Sequence, residues 1–214
     1  MDLQSILFTF FGGLGIFLFG IKFMGEGLQK VAGDRLRDIL DKFTSNPVMG
    51  VIAGIIVTVL IQSSSGTTVL TVGLVNAGFM TLHQAIGVIM GANIGTTVTA
   101  FIIGIKLEEY ALPILFIGTV LIFFFKNKKV NNVGQVFFGF GALFFGLSLM
   151  GDGVAPLEGL ESFRSLTISM SDNPILGVII GMVFTVAVQS SSASIGLLQE
   201  LYDQGALMLN AVLP

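Results

Sequence analysis

The chain alternates between long apolar runs and short polar stretches. A helix needs about 20 apolar residues to cross about 30 Å of hydrocarbon, and four runs come near that length: 6–23, 82–105, 110–125 and 133–150. Two further runs, 47–76 and 174–203, are too long for one upright span, and each carries a polar cluster in its middle. This pattern predicts an all-α integral membrane protein.

The two long runs are copies of each other. Residues 46–65 and 173–192 lie at an offset of 127 and share 12 identities in 20 positions. Each copy opens on Asn-Pro and closes on a Gln followed by three Ser: Gln62, Ser63, Ser64 and Ser65 in the first, Gln189, Ser190, Ser191 and Ser192 in the second. An internal duplication of this kind within apolar sequence is typical of transporters. We therefore divide the chain into a first repeat, 1–130, and a second repeat, 131–214.

Composition agrees with a membrane protein and excludes other classes. Hydrophobic residues make up 53% of the chain and charged residues 11%, against about 25% charged residues in soluble domains, and the mean hydropathy is +0.93. The absence of cysteine excludes disulfides and thiolate metal sites. A net charge of −3 with scattered basic residues offers no surface for nucleic acid. We expect a multi-pass protein of the inner (plasma) membrane, surrounded by the lipid bilayer.

The basic residues give the orientation of the chain. Seven of the ten Lys and Arg lie in two loops: Lys30, Arg35, Arg37 and Lys42 in one, and Lys126, Lys128 and Lys129 in the other. Such loops stay in the cytoplasm, so an even number of crossings must separate them. This requires 47–76 to be a re-entrant hairpin, since a full crossing there would put three crossings between the two loops. The first repeat then holds three spans and one hairpin. An odd number of spans inverts the second repeat, whose own hairpin is 174–203.

Three segments have the composition of broken helices: 62–68, 189–194 and 91–97. Irregular backbone at membrane depth survives only where it is buried in protein or lines a watery cavity, and inverted repeats place their substrate at such breaks. Small residues in membrane helices also serve as packing contacts. Packing is the favoured interpretation for Gly50, Gly54, Gly177 and Gly181. Packing and a site role stay equally open for Asn93, Thr96 and Thr97.

The duplicated clusters offer hydroxyls, amides and carbonyls but no charged side chain. All ten Lys and Arg lie near predicted span ends or in loops. Hydroxyl donors alone cannot offset the desolvation of a multiply charged anion, which would need a cation bound beside it. Oxygen ligands suit hard cations, so the pattern indicates Na⁺ bound together with an oxyanion. Glu200 and Asp203, near the outer end of the second hairpin, are expected to be solvated, with cation entry as the alternative.

The paired Gln-Ser-Ser-Ser motifs, with Gly91-Ala92-Asn93-Ile94-Gly95-Thr96-Thr97 after the first, closely resemble the type II sodium/phosphate cotransporter family in a bacterial form. The resemblance covers nearly the whole chain. It implies a symporter that imports inorganic phosphate, with Na⁺ as the coupling ion and no other cofactor. It also implies that both motifs line the phosphate and sodium sites and that Thr67, Thr68 and Ser194 add sodium ligands. The chain departs from the animal members at Gly66 and Ala193, where they usually have Thr.

Other functions stay open at this point. A channel, or a carrier for a different oxyanion, could use the same scaffold. An enzyme is not expected, because a serine hydrolase needs a general base and the only histidine, His83, lies at a predicted span end. We expect the second repeat to be truncated, because the sequence stops at Pro214, opposite Gly87. We expect its missing part to come from a C-terminal portion or from a second copy of the chain; otherwise the sequence is an incomplete, non-transporting fragment.

We predict that Asn46 and Gly78, at the two ends of the first hairpin, both face the cytoplasm, because only a re-entrant hairpin keeps both basic loops on one side. The chain has no cysteine, so a single Cys at either position can be labelled selectively with an impermeant maleimide in intact cells. Labelling of either position from outside would contradict both the hairpin and the inversion of the second repeat.

Overall fold

A computed structural model describes residues 3–33, 39, 46–105, 107–156, 165, 168 and 173–214. These residues form α-helices joined by turns, and no strand occurs among them. The helices are α1 (Leu3–Ala32), α2 (Pro47–Ile61), α3 (Ser64–Asn76), α4 (Leu82–Ile103), α5 (Ala111–Phe124), α6 (Lys128–Val154), α7 (Pro174–Val188), α8 (Ser191–Asp203) and α9 (Leu209–Val212), with a 3₁₀ turn at Glu108–Tyr110. The all-α fold class is confirmed.

Three of the described helices are long and apolar enough to cross a membrane: Gln4–Ala32, Leu82–Ile103 and Lys128–Val154. They correspond to the predicted spans at 6–23, 82–105 and 133–150. The predicted span at 110–125 is shorter than expected, since α5 has 14 residues and reaches only about 21 Å. At the end of α5, the Asn131 amide of the next helix donates to the Ile122 carbonyl at 3.0 Å and satisfies one carbonyl of the last turn.

The chain forms two compact units. The hairpin-1 unit comprises Ile21–Ile105 and Leu112–Gly141, and the hairpin-2 unit comprises Met1–Gly20, Lys106–Ala111 and Ala142–Pro214. Helices α1 and α6 contribute residues to both units. The units therefore differ from the predicted repeats, 1–130 and 131–214, whose boundary stays a prediction.

Local sequence explains where the helices of the first hairpin begin and end. The Asn46 side chain accepts a hydrogen bond from the backbone N–H three residues later, at 2.9 Å, and Pro47 takes the first helical position of α2. α2 ends at Ile61, and its C-cap, Gln62, is left-handed with φ 57°. Ser63 then caps α3 by accepting from the N–H three residues later, at 3.0 Å. With 15 and 13 residues, α2 and α3 reach about 22 and 20 Å.

The first hairpin folds back on itself beyond the break. Ala53 and Val57 of α2 share a buried apolar cluster with Met80, which follows α3, and with Ala85 and Val88 of α4. A straight continuation of the helix would place positions 53 and 80 about 40 Å apart, so α3 must return alongside α2. The hairpin is present in the fold, and its re-entrant position in the membrane stays a prediction.

Glycines bring α2 and α4 into backbone contact. Gly87, Gly91 and Gly95 recur every fourth residue and so lie on one face of α4. An added Cβ at any of them would overlap the α2 backbone, and the carbonyls in question belong to Pro47, Val51 and Ile55. From the other side, Gly54 of α2 meets the Val88 carbonyl in the same way. This is the small-residue packing of membrane helices, as favoured for Gly54 from the sequence.

The predicted helix break at 91–97 is wrong. α4 runs without interruption from Leu82 to Ile103. The glycines that suggested a break serve close packing against α2 instead. The hydroxyls of Thr96 and Thr97 donate to carbonyls of their own helix at 3.2 and 2.6 Å. An unbroken helix keeps every backbone bond, whereas a break here would have left polar groups to be satisfied in apolar surroundings.

We predict that Gly54→Ala destabilises the protein and that Gly73→Ala, its matched control on α3, does not. A methyl group at position 54 would overlap the Val88 carbonyl, and overpacking of this kind costs about 1–3 kcal/mol. At Gly73 no atom lies within 4 Å of an added Cβ, so Ala should add about 0.5–1 kcal/mol through helix propensity. Thermal unfolding in detergent measures both. A Gly54→Ala variant as stable as the parent protein would contradict the glycine contact.

Candidate functional site

The first break, Gln62–Ser63 between α2 and α3, is held by the amide of Gln62. Its Nε2 donates to the Val59 carbonyl at 2.6 Å, and its Oε1 accepts from the Thr99 hydroxyl of α4 at 2.8 Å. The backbone N–H of Gln62 donates to the Thr58 carbonyl at 2.7 Å. These bonds offset the cost of a left-handed residue, about 1–2 kcal/mol, and tie the end of α2 to α4.

Hydrogen bonds of three threonine hydroxyls stabilise the first break. Thr58 Oγ1 of α2 donates to Thr67 Oγ1 of α3 at 2.8 Å, and Thr67 Oγ1 donates to the Ser63 carbonyl at 3.1 Å. One turn farther along α3, Thr71 donates to the Thr67 carbonyl at 2.8 Å. All three threonines are buried. The bond between Thr58 and Thr67 joins the two arms of the hairpin, whereas Thr71 bonds within α3.

Two helix ends of opposite polarity meet at the first break. The start of α3 presents the N–H groups of Ser64 and Ser65, which lack intrahelical acceptors, together with the positive end of the helix dipole. The end of α2 presents carbonyl oxygens and the negative end of a dipole. The Ser64 and Ser65 hydroxyls bond to no residue that the structure describes. One side of the break therefore suits an anion and the other a cation.

The second break, Gln189–Ser190 between α7 and α8, repeats this geometry. Gln189 is left-handed with φ 56°, and its Nε2 donates to the Val186 carbonyl at 2.5 Å. The Ser190 hydroxyl caps α8 at 3.2 Å. Thr185 Oγ1 and Ser194 Oγ lie 2.8 Å apart, and Ser194 donates to the Ser190 carbonyl at 3.0 Å. A Ser replaces Thr67 without changing these bonds, so a hydroxyl is what the position requires.

The two breaks differ at the Gln amide. In the first, Thr99 supplies a donor to Gln62 Oε1. In the second, none of the residues described in the structure donates to Gln189 Oε1, and the Gln189 side chain is exposed. Thr185 is half-buried, whereas its counterpart Thr58 is buried. The second break is therefore the more open of the two.

The structure sorts the predicted hydroxyls by what their protons do. Three donate to carbonyls of their own chain segment and cannot also donate to an anion: Thr67, Thr68 and Ser194. Two accept a backbone N–H as helix caps and keep their own protons available: Ser63 and Ser190. Four make no hydrogen bond within the described part of the chain: Ser64, Ser65, Ser191 and Ser192. The open donors thus cluster at the N-caps and in the first turns of α3 and α8.

Thr99 is a residue of the first break that the sequence analysis missed. The candidates on the same helix were Asn93, Thr96 and Thr97, and the structure records no hydrogen bond from them to the break. Asn93 and Thr97 are exposed. The spacing did carry a signal, because Thr99 lies four residues after Gly95 and so continues the glycine face that packs on α2.

A buried carboxylate lies on α8. Glu200 is 6% exposed and accepts from Gln204 Nε2 at 2.7 Å. Both side chains lie against Gly151 of α6, where an added Cβ would overlap them. The expectation that Glu200 is solvated is wrong, while Asp203 is exposed as expected. Comparison with the first repeat could not predict this burial, because the position that matches Glu200 is Gly73.

The chain matches one protein family and several individual relatives. The family described as Na⁺/Pi-cotransporter matches residues 16–152. The uncharacterized protein YqeW of Bacillus subtilis (strain 168) is 31% identical over 204 residues, which cover 95% of this chain and 66% of YqeW. The putative inorganic phosphate export protein YjbB of Escherichia coli (strain K12) is 27% identical over 194 residues, which cover 91% of this chain and 36% of YjbB.

A mammalian relative matches over a shorter segment. The sodium-dependent phosphate transport protein 2A of Rattus norvegicus is 42% identical over 98 residues, which cover 44% of this chain and 15% of that protein. No solved structure matches the chain significantly. The chain thus spans just under two thirds of YqeW (66%) and about a third of YjbB (36%).

Proposed function

Because the chain belongs to the Na⁺/Pi-cotransporter family, we propose that it takes part in sodium-coupled transport of inorganic phosphate, and that an inward Na⁺ gradient drives import across the cell membrane. The observation that carries this proposal is the pair of helix breaks, each of which sets an open helix N-terminus beside a helix C-terminus. Secondary transporters bind anions and alkali cations with such paired ends.

In this proposal phosphate binds at the starts of α3 and α8. Each start offers two backbone N–H groups and two hydroxyls, together with the positive end of a helix dipole. The residues that donate are Ser64 and Ser65 at the first break and Ser191 and Ser192 at the second. The preceding pairs, Gln62 with Ser63 and Gln189 with Ser190, fix the backbone so that these donors point away from their own helix.

The charge of the anion then requires a cation. Residues 46–105 and 173–214, which hold both hairpins and α4, contain no Lys or Arg. HPO₄²⁻ carries two negative charges, whereas each helix start offers about half a positive charge. The free energy of desolvating an uncompensated buried charge is larger than the free energy that a few hydrogen bonds provide. Na⁺ bound beside the phosphate supplies the missing charge.

Na⁺ binds, on this view, at the carbonyl side of each break. The last carbonyls of α2 and α7 have no intrahelical donor. Thr67, Thr68 and Ser194 add hydroxyl oxygens whose protons already bond to backbone carbonyls, so lone pairs are what they can offer a ligand. Carbonyl and hydroxyl oxygens suit a hard cation.

The direction of net transport follows from the ion gradients. A carrier that couples two solutes moves phosphate whichever way the summed gradients run, and an inward Na⁺ gradient favours import. The E. coli relative is named for putative phosphate export. Proteoliposomes settle the direction, because the Na⁺ gradient across them can be set inward or outward.

We predict that uptake of labelled phosphate into proteoliposomes requires Na⁺ and rises with Na⁺ at an apparent order above one. Two anionic charges need more than one Na⁺, and by linkage each ion should tighten phosphate binding by the factor by which phosphate tightens the binding of that ion. The measurement uses stepped Na⁺ concentrations with K⁺ as the replacement ion. It is made on this chain and on a version whose second repeat is completed to match the first.

Each alternative has its own result in that experiment. Phosphate that equilibrates without accumulating would identify a channel, and sulfate or arsenate that competes better than phosphate would identify another substrate. Sodium-independent binding, or a hyperbolic sodium curve of order one, would contradict the charge argument. Uptake by the completed version alone would show that these 214 residues are an incomplete part of the carrier.

We further predict that Ser64→Ala and Ser191→Ala each lower phosphate uptake about 5- to 150-fold, because a donor lost from a dry site costs about 1–3 kcal/mol. The matched control is Ser148→Ala on α6, a half-buried serine outside both breaks, which should leave uptake unchanged. Unfolding temperatures of all three variants test whether the fold is intact. Equal and mild effects at the three positions would favour a packing role for the serine clusters.

A further inference from the structure

A buried amide holds Lys30 in place in the last turn of α1. Lys30 Nζ donates to Gln135 Oε1 of α6 at 2.8 Å. Gln135 is 4% exposed, and its Nε2 donates to the Phe23 carbonyl of α1 at 3.1 Å, so the acceptor is itself fixed. Lys30 is exposed, and an ammonium group has three N–H donors. Donors therefore remain for a ligand, and their position is set before the ligand binds.

A second lysine lies on the same face of α6. Lys128, Asn131 and Gln135 are spaced by three and four residues, which places them on one face of the helix. On this face Gln135 bonds to α1, and the Asn131 amide donates to the Ile122 carbonyl near the end of α5 at 3.0 Å. Lys128, the first residue of α6, therefore lies on the side of α6 that the ends of α1 and α5 approach.

The surroundings of these two lysines are basic. Lys126 and Lys129 flank Lys128, and both are exposed. Residues 112–141 contain no Asp or Glu. Glu26 lies one turn before Lys30 on α1, and no ion pair joins it to these lysines within the described part of the chain. We call the four residues the lysine cluster: Lys30, Lys126, Lys128 and Lys129. The lysine cluster attracts anions.

Exposed aromatic side chains adjoin the lysine cluster. Phe123 and Phe124 end α5, Phe125 follows them, and the three are 81%, 79% and 47% exposed. The lysine cluster also lies at the ends of two helices that are long and apolar enough to cross a membrane, α1 and α6. Aromatic rings beside lysines at the end of a span are typical of the membrane–water interface. The surface therefore suits an anion that carries apolar chains.

We propose that the lysine cluster binds the headgroup of an anionic phospholipid, with the lipid phosphate against Lys30 and Lys128 and the acyl chains over the phenylalanines. Charge-assisted hydrogen bonds join ammonium groups to phosphate oxygens, and anionic lipids gather at lysines beside membrane spans. Free phosphate would match the lysines but would leave the phenylalanines without a partner. Gln135 makes this a defined site, because a lysine fixed in advance loses less conformational entropy on binding. The proposal does not depend on phosphate transport.

The experiment measures which lipid contacts the lysine cluster. The chain has no tryptophan, so Phe124→Trp provides a single fluorescent reporter. The full chain is reconstituted into mixed vesicles of phosphatidylcholine and phosphatidylglycerol, in which one lipid at a time carries bromine atoms that quench a tryptophan in contact with them. The two quenching curves give the relative affinity for the anionic lipid. We expect a preference for phosphatidylglycerol of about 5- to 30-fold, since each lysine contributes about fivefold.

Variants of the reporter chain test the individual residues. Lys30→Gln and Lys128→Gln should each lower the preference about fivefold. The matched control is Lys22→Gln, which removes the same charge from an exposed position of α1 about 12 Å from Lys30 along the helix and should leave the preference unchanged. Gln135→Met keeps every charge but releases Lys30, so it should lower the preference severalfold. A second reporter, Leu112→Trp, is 60% exposed at the other end of α5 and should show no preference.

Four results would overturn the proposal. Equal quenching by the two lipids at the Phe124→Trp reporter would mean that no anionic lipid is selected. An equal loss in Lys22→Gln and Lys30→Gln would indicate a general surface potential instead of a site. A preference that survives the combined Lys30→Gln and Lys128→Gln exchange would exclude these lysines. Inorganic phosphate that abolishes the preference, at a concentration at which sulfate does not, would mean that the lysine cluster binds free phosphate. Unfolding temperatures check the fold, and the lysine variants decide the outcome if Gln135→Met does not fold.

Discussion

The structure depends on how backbone polar groups are satisfied at the two helix breaks. In apolar surroundings each unpaired N–H or C=O costs several kcal/mol, so a chain that interrupts a helix there must replace the lost bonds. Gln62 and Gln189 do so by donating a hydrogen bond from the side-chain Nε2 to the backbone carbonyl three residues earlier. The following serine caps the next helix, and a pair of hydroxyls joins the two arms. All of this uses uncharged groups, and it leaves the N–H groups of one helix start and the carbonyls of one helix end open to ligands.

The contact between α2 and α4 extends this constraint beyond the hairpin itself. Glycines on both helices allow their backbones to touch, and only at that distance can the Thr99 hydroxyl reach Gln62 Oε1. A set of residues with no polar side chain thus determines how the amide at the break is held. The second hairpin shows the same break without this support: its hydrogen bonds within the hairpin are intact, while its outer amide oxygen and the face around Gly181 are open.

The absence of Lys and Arg from residues 46–105 and 173–214 bears directly on coupling. Many phosphate sites use arginine or lysine as a permanent countercharge, and such a site binds phosphate whether or not sodium is present. A site made of helix ends and hydroxyls holds a dianion well only when cations bind with it. In the proposed function, the requirement for a cotransported ion follows from this absence of a basic side chain.

The features that the sequence by itself determined are those that depend on near neighbours in the chain. Apolar runs, the duplicated hairpins and the hydroxyl clusters could all be recognised, because caps and amide turns bond residues three or four positions apart. The tertiary structure decided the rest. In the sequence, glycines such as Gly91 and Gly95 look the same whether they break a helix or pack against another helix. Only the position of α2 shows that they are packing contacts. Thr99 gained its role from a partner 37 positions away, Glu200 was buried against Gly151 of another helix, and Asn131 satisfied the end of a helix that precedes its own. The four-residue spacing of Gly91, Gly95 and Thr99 marks a shared helix face, but the sequence does not show which segment packs on that face, so these roles became visible only once the helices were packed.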